Sequence, residues 1–427
     1  MSRERPDGHR IWDNIDVWRG FISVFFTAAA FAQQITSVDK LPEGFDAFVT
    51  NQGNERLPCT VKFTKPRLNL GLRFESTYTV QASLDPYAGA EHRWRILFRV
   101  TPVGGEPVYF VDSLPLSPPP NAGFDAVATG TFFTGEGDYN VKWALWDDLG
   151  RVCRQDFRLE AHLSGHERNV KAVMPPGAVG DFSWRPASND SQAAKTRHVT
   201  ILVNAALPIA HQGQPPDNEW PALLTILSSV LERMPEADVR LIVFNLDQQR
   251  ELFRKDHFTP SDIAGIVHAA DVLSRWTVDS EVLKKPLGGW ELIGGLENAE
   301  IHTAPPPDTV LFVGLPAASA EKMPDETPRS ESAKALRFVY LRYRPPESEI
   351  NRRQWGQTGD PEHPFIGSGR SMGVIPRSGP RSDADQPDPI EQAVRRMGGK
   401  TIAISSADTL SKAISEVEKP VHQTASK

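Results

Sequence analysis

At Arg197 the hydrophobic period of the chain changes, and one core does not accommodate both halves. Upstream, between residues 40 and 163, short segments alternate apolar and polar residues and are separated by turn signals. Trp94-Arg95-Ile96-Leu97-Phe98-Arg99-Val100 is one, and Asp138-Tyr139-Asn140-Val141-Lys142-Trp143-Ala144-Leu145-Trp146 is another. The second is answered, after a turn at 147–150, by residues 151–163 with Val152, Phe157 and Leu159 among their apolar positions. A period of two with no helical stripe predicts an all-β, immunoglobulin-like sandwich. Its tryptophans and phenylalanines read as core and sheet-face residues.

Downstream, over residues 197–420, strands alternate with helices, which predicts an α/β domain with a mostly parallel central sheet and helices on both faces. Its first strand, His198-Val199-Thr200-Ile201-Leu202-Val203-Asn204, is β-branched and apolar on both alternating faces, as a strand buried between helical layers must be. Leu223, Leu224, Leu227, Val230 and Leu231 then fall on one helical stripe. Residues 239–245 read as a second buried strand that turns into Arg250-Glu251-Leu252-Phe253, an antiparallel edge. A glycine-rich helix entry (287–299) and apolar strands at 309–314 and 336–341 follow, then the long aperiodic segment 344–389. The chain closes with a helix to Met397, a Gly398-Gly399 turn, a strand over 400–404 and an amphipathic helix over 408–417.

A length of 427 residues is too great for one ordinary core, so two domains are expected. Residues 164–196, rich in proline and polar residues, read as a linker. A formal net charge of −7 argues against a nucleic-acid-binding surface, which needs an excess of Lys and Arg. At the N-terminus Arg3, Arg5, Arg10 and Arg19 precede a short apolar run that ends in Ala30-Phe31-Ala32, the layout of a secretory signal peptide over residues 1–32. The run is too short to cross a bilayer, so the mature chain is expected to be secreted or periplasmic with no transmembrane span. Cys59 and Cys153 are the only cysteines. In an exported chain they are expected to bridge the start of the first domain to its last strands, and otherwise to be two ordinary thiols.

Three pieces of the second half, in this order and spacing, resemble the von Willebrand factor A-type (vWA) family, in its divergent bacterial exported form. They are HVTILVNAALP (198–208), GGWELIGGLENA (288–299) and AVRRMGGKTIAISSADTLSKAISEVEK (393–419). The resemblance implies a Rossmann-like vWA fold and a metal-ion-dependent adhesion site at the top of the sheet. In the family that site uses an Asp-x-Ser-x-Ser motif, a loop Thr and a further Asp, oxygen donors of the kind a hard cation requires. Here the first motif falls on Asn204, Ala206 and Pro208, the Thr on Trp290 and the second Asp at or beside Gly314. Only Asn204 keeps a side-chain oxygen, so the resemblance implies a degenerate site with no metal and no other cofactor. The same five positions become the candidate interaction face. Trp290 is either its aromatic anchor or a filler of the volume an ion once held.

Other chemistry is weakly supported. Gly369-Arg370-Ser371-Met372-Gly373 matches a nucleophile elbow, but Pro364 and Pro376 flank it in an aperiodic stretch rather than a strand-to-helix turn. Asp383, Asp385 and Asp388 lack the glycine and terminal glutamate of a calcium loop and read as a solvated acidic loop. The histidines show no paired spacing, and no phosphate-binding glycine loop opens a helix. The expectation is an exported, non-enzymatic binding or scaffolding protein for an unknown protein partner. The alternatives are an envelope hydrolase with its site in 344–389, or a metal-dependent adhesion module if the motif aligns differently.

Overall fold

The computed structural model describes residues 34–36, 55–87, 89–117, 123–181, 197–206, 220–246, 248–263, 266, 289–317, 336–345 and 388–419. The expected signal peptide, Pro208, the Gly369 to Gly373 motif, Asp383, Asp385 and nearly all of 344–389 lie outside the described residues.

Eleven strands build the N-terminal part: β1 (Gln34–Thr36), β2 (Glu55–Arg56), β3 (Thr60–Phe63), β4 (Arg67–Leu68), β5 (Phe74–Ser83), β6 (His92–Pro102), β7 (Val108–Leu116), β8 (Asp125–Thr134), β9 (Gly137–Asp147), β10 (Arg151–Ala161) and β11 (Val179–Gly180). They form a six-stranded sheet in the order β1-β7-β6-β9-β10-β2 and a five-stranded one, β11-β8-β5-β3 with β4 also on β5. Strict alternation decides what lies between them. Trp94, Ile96, Phe98 and Val100 on β6, Tyr139, Val141, Trp143 and Leu145 on β9, and Tyr78 and Val80 on β5 share one aromatic-rich core. Cys59 and Cys153 form a disulfide with Cα atoms 6.2 Å apart, joining the segment that enters β3 to β10 in the opposite sheet.

The C-terminal part holds β12 (Arg197–Asn204), α1 (Trp220–Arg233), β13 (Ala237–Asn245), β14 (Arg250–Lys255), α2 (Trp290–Ile301), β15 (Thr309–Gly314), β16 (Arg337–Tyr343), α3 (Pro389–Arg396), β17 (Lys400–Ile404) and α4 (Ala407–Glu418). Its sheet runs β14-β13-β12-β15-β16-β17, with β14 antiparallel to β13 and the other pairs parallel. Alternate residues of each strand serve opposite faces. Ile201, Val203, Leu241, Val243, Leu311 and Val313 pack with Leu227 of α1 and Leu410 of α4. Leu202, Ile242, Phe244, Val310 and Phe312 pack with Ile293 of α2 and Val394 of α3. Among the described residues no helix is long and apolar enough to cross a membrane.

The fold class requires correction. The expectation of an α/β Rossmann-like vWA domain behind an immunoglobulin-like sandwich gives way to a strand-rich chain, whose strand residues outnumber its helical ones of all kinds about two to one among the described residues. The described residues form three sheets, and two of them are mixed: β2 pairs parallel to β10 in an otherwise antiparallel sheet, and β14 pairs antiparallel in the third. The physical reason is that local period specifies which faces of a strand are buried, whereas pairing direction and strand number are fixed by contacts far apart in sequence.

The two parts meet through a finger and a strap. In the turn from β4 to β5, Asn69 Oδ1 accepts from Gly71 N (2.8 Å) and Arg73 N (3.4 Å), and Leu72 adopts a positive φ of 51°. This drives the Leu72 side chain, fully buried, into the core beneath α1. Around it Ser229 Oγ donates to Leu70 O (2.7 Å), and Arg73 Nη2 donates to Glu232 Oε1 (2.5 Å), both side chains being nearly shut off from water. The first half of the segment expected as a linker is the strap. Val170 joins the same C-terminal core, Val173 N donates to Leu72 O (2.9 Å), and β11 pairs with β8 of the sandwich.

Candidate functional site

Where parallel strands end, backbone groups lose their sheet partners and the following loops converge, so strand carboxyl ends are the usual place for a site. Here β12 ends at Asn204, which is 1% exposed. Its Oδ1 accepts from Ala206 N (3.1 Å) and Leu246 N (3.4 Å), and Ala205 N donates to Phe244 O (2.8 Å). Asn204 thus ties the ends of β12 and β13 together. Its Nδ2 is buried with no hydrogen-bond partner among the described residues. Leaving such a donor unpaired costs about 1–3 kcal/mol, so a group able to accept from it is favoured.

The neighbours are alkyl and aromatic. Gly314, the last residue of β15, lies against Asn204; a Cβ there would sit 3.0 Å from Asn204 Cβ. Gly289 caps α2 at φ 64°, and a Cβ on it would sit 2.9 Å from Leu246 Cδ2, so Leu246 covers the helix entrance. Trp290 opens α2 half-buried, against the cluster that contains Ala206, Leu246 and Ile293. Its indole Nε1 is likewise buried and without a partner among the described residues. Asn204, Ala206, Trp290 and Gly314 are therefore assembled around the ends of β12, β13 and β15; Pro208 lies outside the described residues.

Beside this face the Tyr340 hydroxyl donates to Leu315 O (3.0 Å) and to Asp388 Oδ2 (3.2 Å). Asp388 caps α3, accepting at Oδ1 from Ile390 N (3.0 Å) and Glu391 N (3.4 Å). Burial pushes its carboxyl up to about 6, against the cap N–H groups that favour the carboxylate. Burial raises the Tyr340 phenol too, which keeps it a neutral donor. The pair locks β16 to α3; it is a structural bracket at the rim of the face. Sequence reading places Asp388 in an acidic loop and misses its cap, although Asp-Pro before an apolar run is a helix-start signal. Leu246 carries no such signal, since it acquires its place only when β13 pairs with β12.

Two buried carboxylates lie away from the face. Glu300, fully buried, accepts from Thr200 Oγ1 (2.7 Å), Arg240 Nη1 (3.2 Å) and Arg254 Nη1 (3.4 Å), a satisfied charge network under the sheet. Glu297 has an Oε1 unpartnered among the described residues, and burial pushes its carboxyl up to about 7, offset by the charge of Arg396. Among the described residues no three His, Cys, Asp or Glu side chains converge as a metal site.

No family model matches the chain, and no curated protein matches it. Among solved structures, the ApaA protein from Bordetella pertussis matches 26% of this chain and 100% of its own at 12% identity, with a TM-score of 0.18. A β-glucosidase from Listeria innocua in complex with gluconolactone matches 26% of this chain and 16% of its own at 18% identity, with a TM-score of 0.17. A calcium-binding mutant of Bacteroides uniformis β-glucuronidase 2 matches 82% of this chain and 46% of its own at 9% identity, with a TM-score of 0.18. The chain spans less than half the length of either glycosidase. Likeness at this level bears on neither the fold nor the function of this chain.

Proposed function

We propose that the chain is an exported, non-enzymatic binding or scaffolding protein that receives a protein partner at the carboxyl ends of β12, β13 and β15. One observation carries the reading. Two buried N–H donors, Asn204 Nδ2 and Trp290 Nε1, stand without acceptors among the described residues, in a surround of Ala206, Leu246 and Gly314. Donors repel a cation and select an acceptor, so the partner group that fits is a carbonyl or carboxylate oxygen beside an apolar side chain. Half-buried tryptophan is among the side chains that contribute most when an interface closes over them.

The test compares capture of partners from an envelope fraction by the full chain and by Trp290→Ala, both first shown to be folded by near-UV circular dichroism. Partners lost from the variant and recovered with Trp290→Phe support the strand-end face. Equal capture of the same proteins by the folded alanine variant overturns it.

A further inference from the structure

The outer face of the six-stranded sheet is built unlike the rest of this acidic chain. Because Trp94, Ile96, Phe98 and Val100 point into the sandwich, the alternate residues of β6 face outward, and the same holds for β9 and β10. Register then lays out four rows across three strands: Thr101–Asn140–Arg158, Arg99–Lys142–Asp156, Leu97–Ala144–Arg154 and Arg95–Trp146–Val152. In these rows five cations stand against one carboxylate, and the row beyond Arg158, Asp138–Glu160, adds two more carboxylates at the end of the face, in a chain of formal net charge −7. No ion pair or hydrogen bond engages the side chains of Arg95, Arg99, Lys142, Arg154 or Arg158 among the described residues.

This arrangement costs the free protein stability. Arg99 and Lys142 are direct cross-strand partners, a like-charge juxtaposition that disfavours the sheet. Arg99 Nε, together with Arg154 Nε and Nη2, is closed off from water and unpartnered. Guanidinium donors buried without acceptors are more costly than neutral ones, and an anionic oxygen relieves them with charge-assisted bonds. The rows also line an open groove of about 510 Å³, bounded by Arg99, Thr101, Asn140, Lys142, Asp156 and Arg158.

We infer that this groove binds an extended acidic peptide segment of a partner protein. Successive outward positions along one strand are about 6.8 Å apart, the spacing of every second side chain in an extended peptide. Carboxylates at alternate residues of such a peptide meet Arg99 and Lys142 in one row and Arg158 or Arg154 in the next. Asp156 opposes a densely charged polyanion such as a nucleic acid, yet offers an acceptor to a peptide N–H. This surface lies on the sandwich and does not depend on the strand-end reading.

The test uses the full chain and two fluorescein-labelled nine-residue peptides, one alternating Glu with Val and one alternating Gln with Val, followed by fluorescence anisotropy. Saturable binding of the Glu peptide is expected, at least tenfold tighter than the Gln peptide and weakened by added salt. The folded double variant Arg99→Gln/Lys142→Gln should lose tenfold or more, and Arg158→Gln alone should lose severalfold. Binding that is absent, equal for both peptides, or unchanged in the double variant overturns the proposal. So does tighter binding of a single-stranded DNA or sulfated oligosaccharide of equal charge. Trp290→Ala is expected to bind the Glu peptide like the parent chain, which separates this site from the strand-end face.

Discussion

Glu297 shows what one buried carboxyl does to the stability of the whole. Burial raises it from near 4.5 to about 7 in the folded chain, while in the unfolded chain it titrates normally. Between those two values the folded state holds a proton that the unfolded state has released, so stability falls as pH rises through that window and is level above it. The effect is on the order of 3 kcal/mol. Glu297→Gln removes the titration, so its denaturant midpoint should exceed that of the parent chain at pH 8 and converge with it near pH 4. A midpoint difference that does not change with pH would rule this assignment out. Asp388, raised to about 6, adds a smaller decline in the lower part of the same range that the variant retains. Neither shift is legible in the sequence: Glu297 sits in an ordinary helical stretch, and only the docking of α2 beside α3 closes it off.

At the scale of elements, the disulfide and the helix ends fix where strands can lie. Cys59 and Cys153 are 94 residues apart, so their bond closes a large loop in the unfolded ensemble and lowers its entropy. Replacing both by alanine should cost about 3–4 kcal/mol, read as a lowered midpoint in urea with far-UV circular dichroism unchanged at rest. No loss of midpoint would mean that the two sheets hold without the bridge. The closing elements fall close to where their period puts them. The expected helix ending at Met397, strand over 400–404 and helix over 408–417 correspond to α3, β17 and α4. Asp388 and Ser406 supply the side-chain caps that set two of these boundaries. Such features are local, carried by neighbours in sequence, and so can be read without the fold.

For the whole molecule, the junction between its two parts is the most consequential feature. Arg73, reaching from the sandwich, pairs with Glu232 on α1, whose side chain is 1% exposed. Arg73→Ala leaves that carboxylate buried with only the Ser228 hydroxyl (3.1 Å) beside it, and should cost about 3–5 kcal/mol in chemical denaturation. The double variant Arg73→Met/Glu232→Met should recover most of the loss, because a buried ion pair contributes little net stability over well-packed apolar groups. A double variant as unstable as the single one would show that the contact acts through shape, by seating Leu72, and not through charge. The residues that make this junction, Leu70, Leu72, Arg73 and Val173, carry no sequence signal of joining the second core.

By itself the sequence determined the two hydrophobic periods and their change at Arg197, the strand and helix boundaries near the C-terminus, and the absence of side-chain oxygens at Ala206, Trp290 and Gly314. These follow from backbone geometry, which repeats every two or 3.6 residues whatever lies elsewhere in the chain. Only the tertiary structure decided the three-sheet, strand-rich class, the finger of Leu72 under α1, the unpartnered donors of Asn204 and Trp290, and the cationic rows of β6, β9 and β10. Each of these depends on strand register or on a contact between residues far apart in sequence, and alternation alone does not specify which strand is the neighbour.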